Sequence, residues 1–133
     1  MIVLDTHVLV WWVTGATDRV SKPAARALES AQGNEASIFV SAISAWEIAV
    51  LIQKGRLVLA MDVEEWLSHI ASLPEVRFVQ VDRHTVVQSV RLPATFHTDP
   101  ADRLIVATAR RLNFPLVTAD EQIRAYPHVR CIW

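Results

Sequence analysis

Apolar residues along this chain fall into two rhythms. Ile2-Val3-Leu4, Ile38-Phe39-Val40 and Leu116-Val117 are short unbroken runs, as in strands buried on both faces of a parallel sheet. Residues 76–81, rich in Val and Phe, and residues 129–132 complete a set of five predicted strands, the fourth running 116–118. Between them apolar positions recur at helical spacing. Thr6 is read as the cap of a helix reaching Trp11 or Trp12 and closed by Gly15. Ser21-Lys22-Pro23 opens a helix with Ala24, Ala27, Leu28 and Ala31 on one face, closed by Gly33-Asn34. Ser44 is placed at the start of a third, whose face holds Ile48, Leu51 and Ile52 until Lys54-Gly55. Asp62 caps a fourth with Val63, Trp66, Leu67 and Ile70 inward, and Asp82 a fifth over the apolar positions Val86, Val87 and Val90 that ends before Pro93. Asp99 opens the longest, to about Arg111, and a one-turn helix follows Asp120.

Strands alternating with helices require right-handed crossovers, hence a parallel sheet between helical layers. A chain of 133 residues is expected to form one domain, 1–133, burying about two-thirds of its unfolded surface. With 52% apolar and 20% charged residues it has the composition of a folded protein rather than a disordered one.

Charge narrows the function classes. Thirteen basic against 14 acidic residues give a net charge of −1, so no global positive field recruits a polyanion and any nucleic-acid affinity must be local. The single cysteine, Cys131, precludes an internal disulfide, and the five histidines lack metal-ligand spacing. Glycines are too few and dispersed for a phosphate-binding loop, and there is no Gly-x-Ser-x-Gly elbow. The start Ile2-Val3-Leu4-Asp5 has no basic leader, and no apolar run approaches the roughly 20 residues that span a bilayer. A cytoplasmic protein without membrane contact is expected.

The chemistry then rests on carboxylates. Asp5 and Asp120 end strands, on the edge of a parallel sheet where ligands bind. Glu47, Asp99 and Asp102 sit in first turns of helices, which lie on the same edge if each follows or flanks a strand. Each has a structural alternative. Asp5 and Asp120 suit turns, Asp99 is a natural N-cap before Pro100, and Ser44-Ala45-Trp46-Glu47 fits a capping box. Arg103 suits either an acid or a phosphate partner. If the five acids meet, their repulsion calls for a hard divalent cation, Mg²⁺ or Mn²⁺, the kind of centre that hydrolyses phosphodiesters.

Four segments together resemble the PIN domain, and within it the VapC-type toxins of toxin–antitoxin pairs. They are Ile2-Val3-Leu4-Asp5-Thr6-His7, Ser44-Ala45-Trp46-Glu47-Ile48, the run from His97 to Ala109, and Leu116-Val117-Thr118-Ala119-Asp120. The resemblance implies a three-layer α/β/α sandwich with about five parallel strands and a Mg²⁺- or Mn²⁺-dependent ribonuclease. Its catalytic acids would be Asp5, Glu47, Asp102 and Asp120, with Asp5, Asp99, Asp102 and Asp120 toward metal and Thr118 in support. It also implies a homodimer and a cognate antitoxin peptide covering the site and an apolar groove, for which Trp11, Trp12, Val50, Leu51 and Ile52 are candidates beside their ordinary role in the core. Two other readings remain beside it. One is a protein-binding module whose acids only cap helices. The other is a phosphoaccepting receiver domain, which the single Asp after the first strand and the lack of a strand-end Lys disfavour.

Overall fold

The computed structural model describes residues 1–133. Five strands, β1 (Ile2–Leu4), β2 (Ile38–Ser41), β3 (Val76–Val79), β4 (Leu116–Val117) and β5 (Cys131–Ile132), form one sheet in the order β3-β2-β1-β4-β5, every pair parallel. Seven helices connect them: α1 (Thr6–Thr14), α2 (Lys22–Ala31), α3 (Ile43–Gln53), α4 (Val63–Ala71), α5 (Arg83–Val90), α6 (Pro100–Leu112) and α7 (Glu121–Ala125), with a 3₁₀ turn over Thr17–Arg19.

The two-residue period of a strand divides the core. Ile2 and Leu4 of β1 point into a cluster with Val8 and Leu9 of α1, Leu28 of α2 and Trp66 and Ile70 of α4. Val3 points the opposite way, among Ile105 and Val106 of α6, Ile123 of α7, Phe96 and Tyr126. All three β1 residues are buried. The result is the expected α/β/α sandwich, with β1 at its centre.

Two local expectations give way. Asp5, not Thr6, is the N-cap of α1, its Oδ1 accepting from the Thr6 N–H at 2.8 Å. The α3 capping box does not form: α3 begins at Ile43, no side chain caps it, and Ser44 and Glu47 both turn to Thr6. On α5 the polar Thr85 and Ser89 are buried while Val86, Val87 and Val90 are 45%, 40% and 74% exposed. The phase of α5 is fixed at both ends, by Asp82 Oδ1 accepting from Thr85 N–H at 2.8 Å and by Arg103 binding the carbonyls of Ser89 and Val90. Small Thr85 and Ser89 let α5 lie close against α6. The strands are also shorter than expected, β3 stopping at Val79 and β5 beginning at Cys131.

Candidate active site

Because every strand runs the same way, β1, β2 and β4 all deliver their following residues to one edge. There Asp5, Glu47, Asp99, Asp102 and Asp120 line a single cleft, with His7, Trp11 and Ala119 beside them. The five acids proposed from the sequence are therefore neighbours.

Each is held differently. Asp5 is 6% exposed; its Oδ1 caps α1 and its Oδ2 accepts a 2.6 Å hydrogen bond from the buried Thr118 hydroxyl. The same Thr118 oxygen accepts from Asp120 N–H at 3.1 Å, which ties the end of β4 to the end of β1. Asp120 caps α7 through Ile123 N–H, and Asp99 caps α6 through Asp102 N–H. Glu47 reaches across from α3, its Oε1 accepting from Thr6 at 2.6 Å, and Thr6 lies 2.8 Å from the Ser44 hydroxyl. Since the one Thr6 proton is committed to a carboxylate, Ser44 is the donor to Thr6. The Asp102 side chain caps nothing.

Electrostatics single out Asp102. Burial, then the charges of Asp5, Asp99, Asp120 and Glu47, push it from 3.8 up to about 8. Burial also raises Asp5 and Glu47, against the lowering effect of the Thr118 and Thr6 hydroxyls. Such a pocket favours a proton or a cation. As the side chains stand, no three Asp, Glu, His or Cys groups converge tightly enough to enclose an ion. That arrangement is a lined cleft rather than a cage. It fits Mg²⁺, which keeps several waters and needs only one or two carboxylates, better than an ion wrapped entirely by protein.

Two histidines escaped the sequence reading. His7 is exposed at the cleft, one residue after Thr6 on α1. His97 Nε2 is buried 3.1 Å from Asp102 Oδ2, though without the alignment of a hydrogen bond. Their signal was nearness in sequence to an acid, which metal-ligand spacing does not register. Arg103 proves to be structural: it donates to the carbonyls of Ser89, Val90, Phe96 and His97 at 2.8 to 3.3 Å, and so shapes the loop that leads into Asp99.

The order of strands, the crossovers and an acidic cleft at the strand ends define a class that sequence comparison identifies directly. The PIN domain family model matches residues 2–129, and the chain belongs to that family. Within it, the chain is 39% identical over 129 residues to Ribonuclease VapC22 of Mycobacterium tuberculosis (strain ATCC 25618 / H37Rv), covering 97% of this chain and 94% of that protein. Solved structures share the fold. A toxin-antitoxin complex from Klebsiella pneumoniae aligns with a TM-score of 0.64 at 21% identity, over 97% of this chain and 95% of the other. VapBC2 from Rickettsia felis, bound to a DNA fragment from its promoter, aligns at 0.65 and 19%, over 98% and 97%. FitAcB from Neisseria gonorrhoeae aligns at 0.63 and 21%, over 98% and 96%. No helix is long and apolar enough to cross a membrane.

Proposed function

We propose that this chain is a metal-dependent endoribonuclease that hydrolyses RNA phosphodiester bonds as the toxin of a toxin–antitoxin pair. The observation that carries the reading is Asp102, raised to about 8 by burial and four other acids in one cleft. Asp5, Asp99 and Asp120 are all N-caps, so on their own they also suit a catalytically silent binding module. Glu47 and Asp102 cap nothing, and burying two further carboxylates there is unfavourable unless something positive is to be bound. The name of the relative at 39% identity, a ribonuclease, supports the same conclusion.

In this reading Asp5, Asp99, Asp102 and Asp120 would hold Mg²⁺ or Mn²⁺, and Glu47 would bind the ion or orient the attacking water. When bound, the ion supplies an acidified water and offsets charge developing on the phosphate. The chain's own residues fix the acids: Thr118 holds Asp5, and the Ser44–Thr6 pair holds Glu47. The toxin–antitoxin complexes among the structural relatives suggest an antitoxin partner. An apolar groove lined by Trp12, Val13, Met61, Trp66, Ile70 and Leu73 suits one of its segments; of the residues expected from the sequence it holds Trp12 but not Trp11, Val50, Leu51 or Ile52. Exposed Val86, Val87 and Val90 on α5 suit a homodimer contact.

The test is purified protein with RNA and Mg²⁺ or Mn²⁺, beside an EDTA control and Asp5→Asn. Cleavage lost with EDTA and in the variant supports the reading. Equal activity in all three marks a contaminant, and calorimetry without divalent-ion binding would favour the binding module.

A further inference from the structure

Trp11 and Trp12 are adjacent in sequence but serve different surfaces. Trp12 packs against the core beside α4 and lines the apolar groove. Trp11, about 100° round the helix, packs against neither hydrophobic cluster and is half-buried at the wall of the acidic cleft. Its neighbours are side chains that suit a nucleobase. The exposed His7 ring, one turn back on α1, is 5.9 Å away at 45°, and the Trp133 ring is 6.1 Å away at 50°. Arg19, also exposed, places its guanidinium 6.0 Å from the indole centre. Neither ring lies parallel to the indole. Trp11 is six residues beyond Asp5, about 9 Å along α1, a span that one or two nucleotides of single strand can cover.

The charge balance gives this ledge a purpose. The cleft is acidic and the chain carries a net charge of −1, so phosphate attraction by itself holds RNA poorly. Stacking on an aromatic face is insensitive to that charge and tolerant of base identity. Resting on the ribonuclease reading, we propose that Trp11, with His7 and Arg19, forms a base-stacking subsite that holds an unpaired nucleobase next to the scissile phosphate.

The experiment measures anisotropy of a labelled single-stranded oligoribonucleotide on full-length protein in the non-cleaving D102N background. W11A is expected to weaken binding about tenfold, as loss of one base stack does, and W11F to restore most of it. With a probe of the same length abasic at every position, W11A and its parent should bind alike. Equal binding of W11A and parent to the normal strand, or the same loss on the abasic strand, overturns the proposal. If the unsubstituted protein cleaves RNA while W11A binds it normally, only this subsite falls. If the unsubstituted protein neither binds nor cleaves RNA, the ribonuclease reading falls with it.

Discussion

The hydroxyl of Thr6 donates a 2.6 Å hydrogen bond to Oε1 of Glu47, joining the first turn of α1 to α3 across 41 positions of sequence. Thr6 is 1% exposed and its own oxygen is engaged by Ser44. Burial raises the pKa of this carboxylate, and the Thr6 hydrogen bond opposes that rise. Thr6→Val should cost about 1.5–3 kcal/mol of stability, the worth of a hydrogen bond to a charged group, and should move the rising limb of the pH–rate profile upward as Glu47 loses the contact that lowers its pKa. Thr6→Ser should restore both. Denaturant unfolding beside a pH–rate profile decides it; a variant with an unmoved profile would remove Glu47 from the reaction.

Asp102 links stability to pH in an unusual direction. Its folded pKa of about 8 lies above its ordinary 3.8, so between those values the folded chain binds a proton that the unfolded chain has lost. Metal-free protein should therefore be most stable below about pH 4 with respect to this group and lose that contribution as pH rises toward 8. Each kcal/mol lost lowers the melting temperature by a few degrees. Melting curves in EDTA should show the decline, D102N should flatten it, and Mn²⁺ should raise the melting temperature more at pH 8 than at pH 6, because metal competes with the proton.

Arg103 should be needed for stability rather than for chemistry. Its guanidinium satisfies four carbonyls at the end of α5 and in the loop before α6. Arg103→Ala should cost about 3 kcal/mol, and Arg103→Lys should recover little, since a point charge cannot match the fork. Chemical denaturation measures both. A variant that folds normally yet cannot cleave would give Arg103 a direct role instead.

The valines of α5 offer a test of self-association. Val90→Glu places a charge on a face that is 74% exposed at that position. It should leave the melting temperature within about 0.5 kcal/mol of equivalent stability, as surface changes do, while shifting a dimer to monomer in sedimentation velocity. An unchanged dimer would move the contact elsewhere.

Much of the molecule was legible in one dimension. Unbroken apolar triplets announced buried strands because a strand covered on both faces has no polar side to show. The caps Asp62, Asp82 and Asp99 announced helix starts because a short acceptor satisfies N–H groups only a few residues away. Glu47 was less legible. Its spacing from Ser44 fits a capping box, and the contact that wins, to Thr6, lies far off in sequence. The buried face of α5 was not legible for a related reason: apolar periodicity tells which face is uniform, not which face a neighbouring helix can approach closely.

Local order, then, was written in the sequence: the alternation of strand and helix, most of the caps, and four acids at element ends, all governed by forces acting within a turn or a strand repeat, whereas Glu47, expected in a first turn, lies in the second turn of α3. Convergence was decided by tertiary structure alone. Parallel strands in the order β3-β2-β1-β4-β5 bring Asp5, Glu47, Asp102 and Asp120 to one edge, and only there do burial and mutual repulsion turn ordinary carboxylates into a cleft that favours a cation.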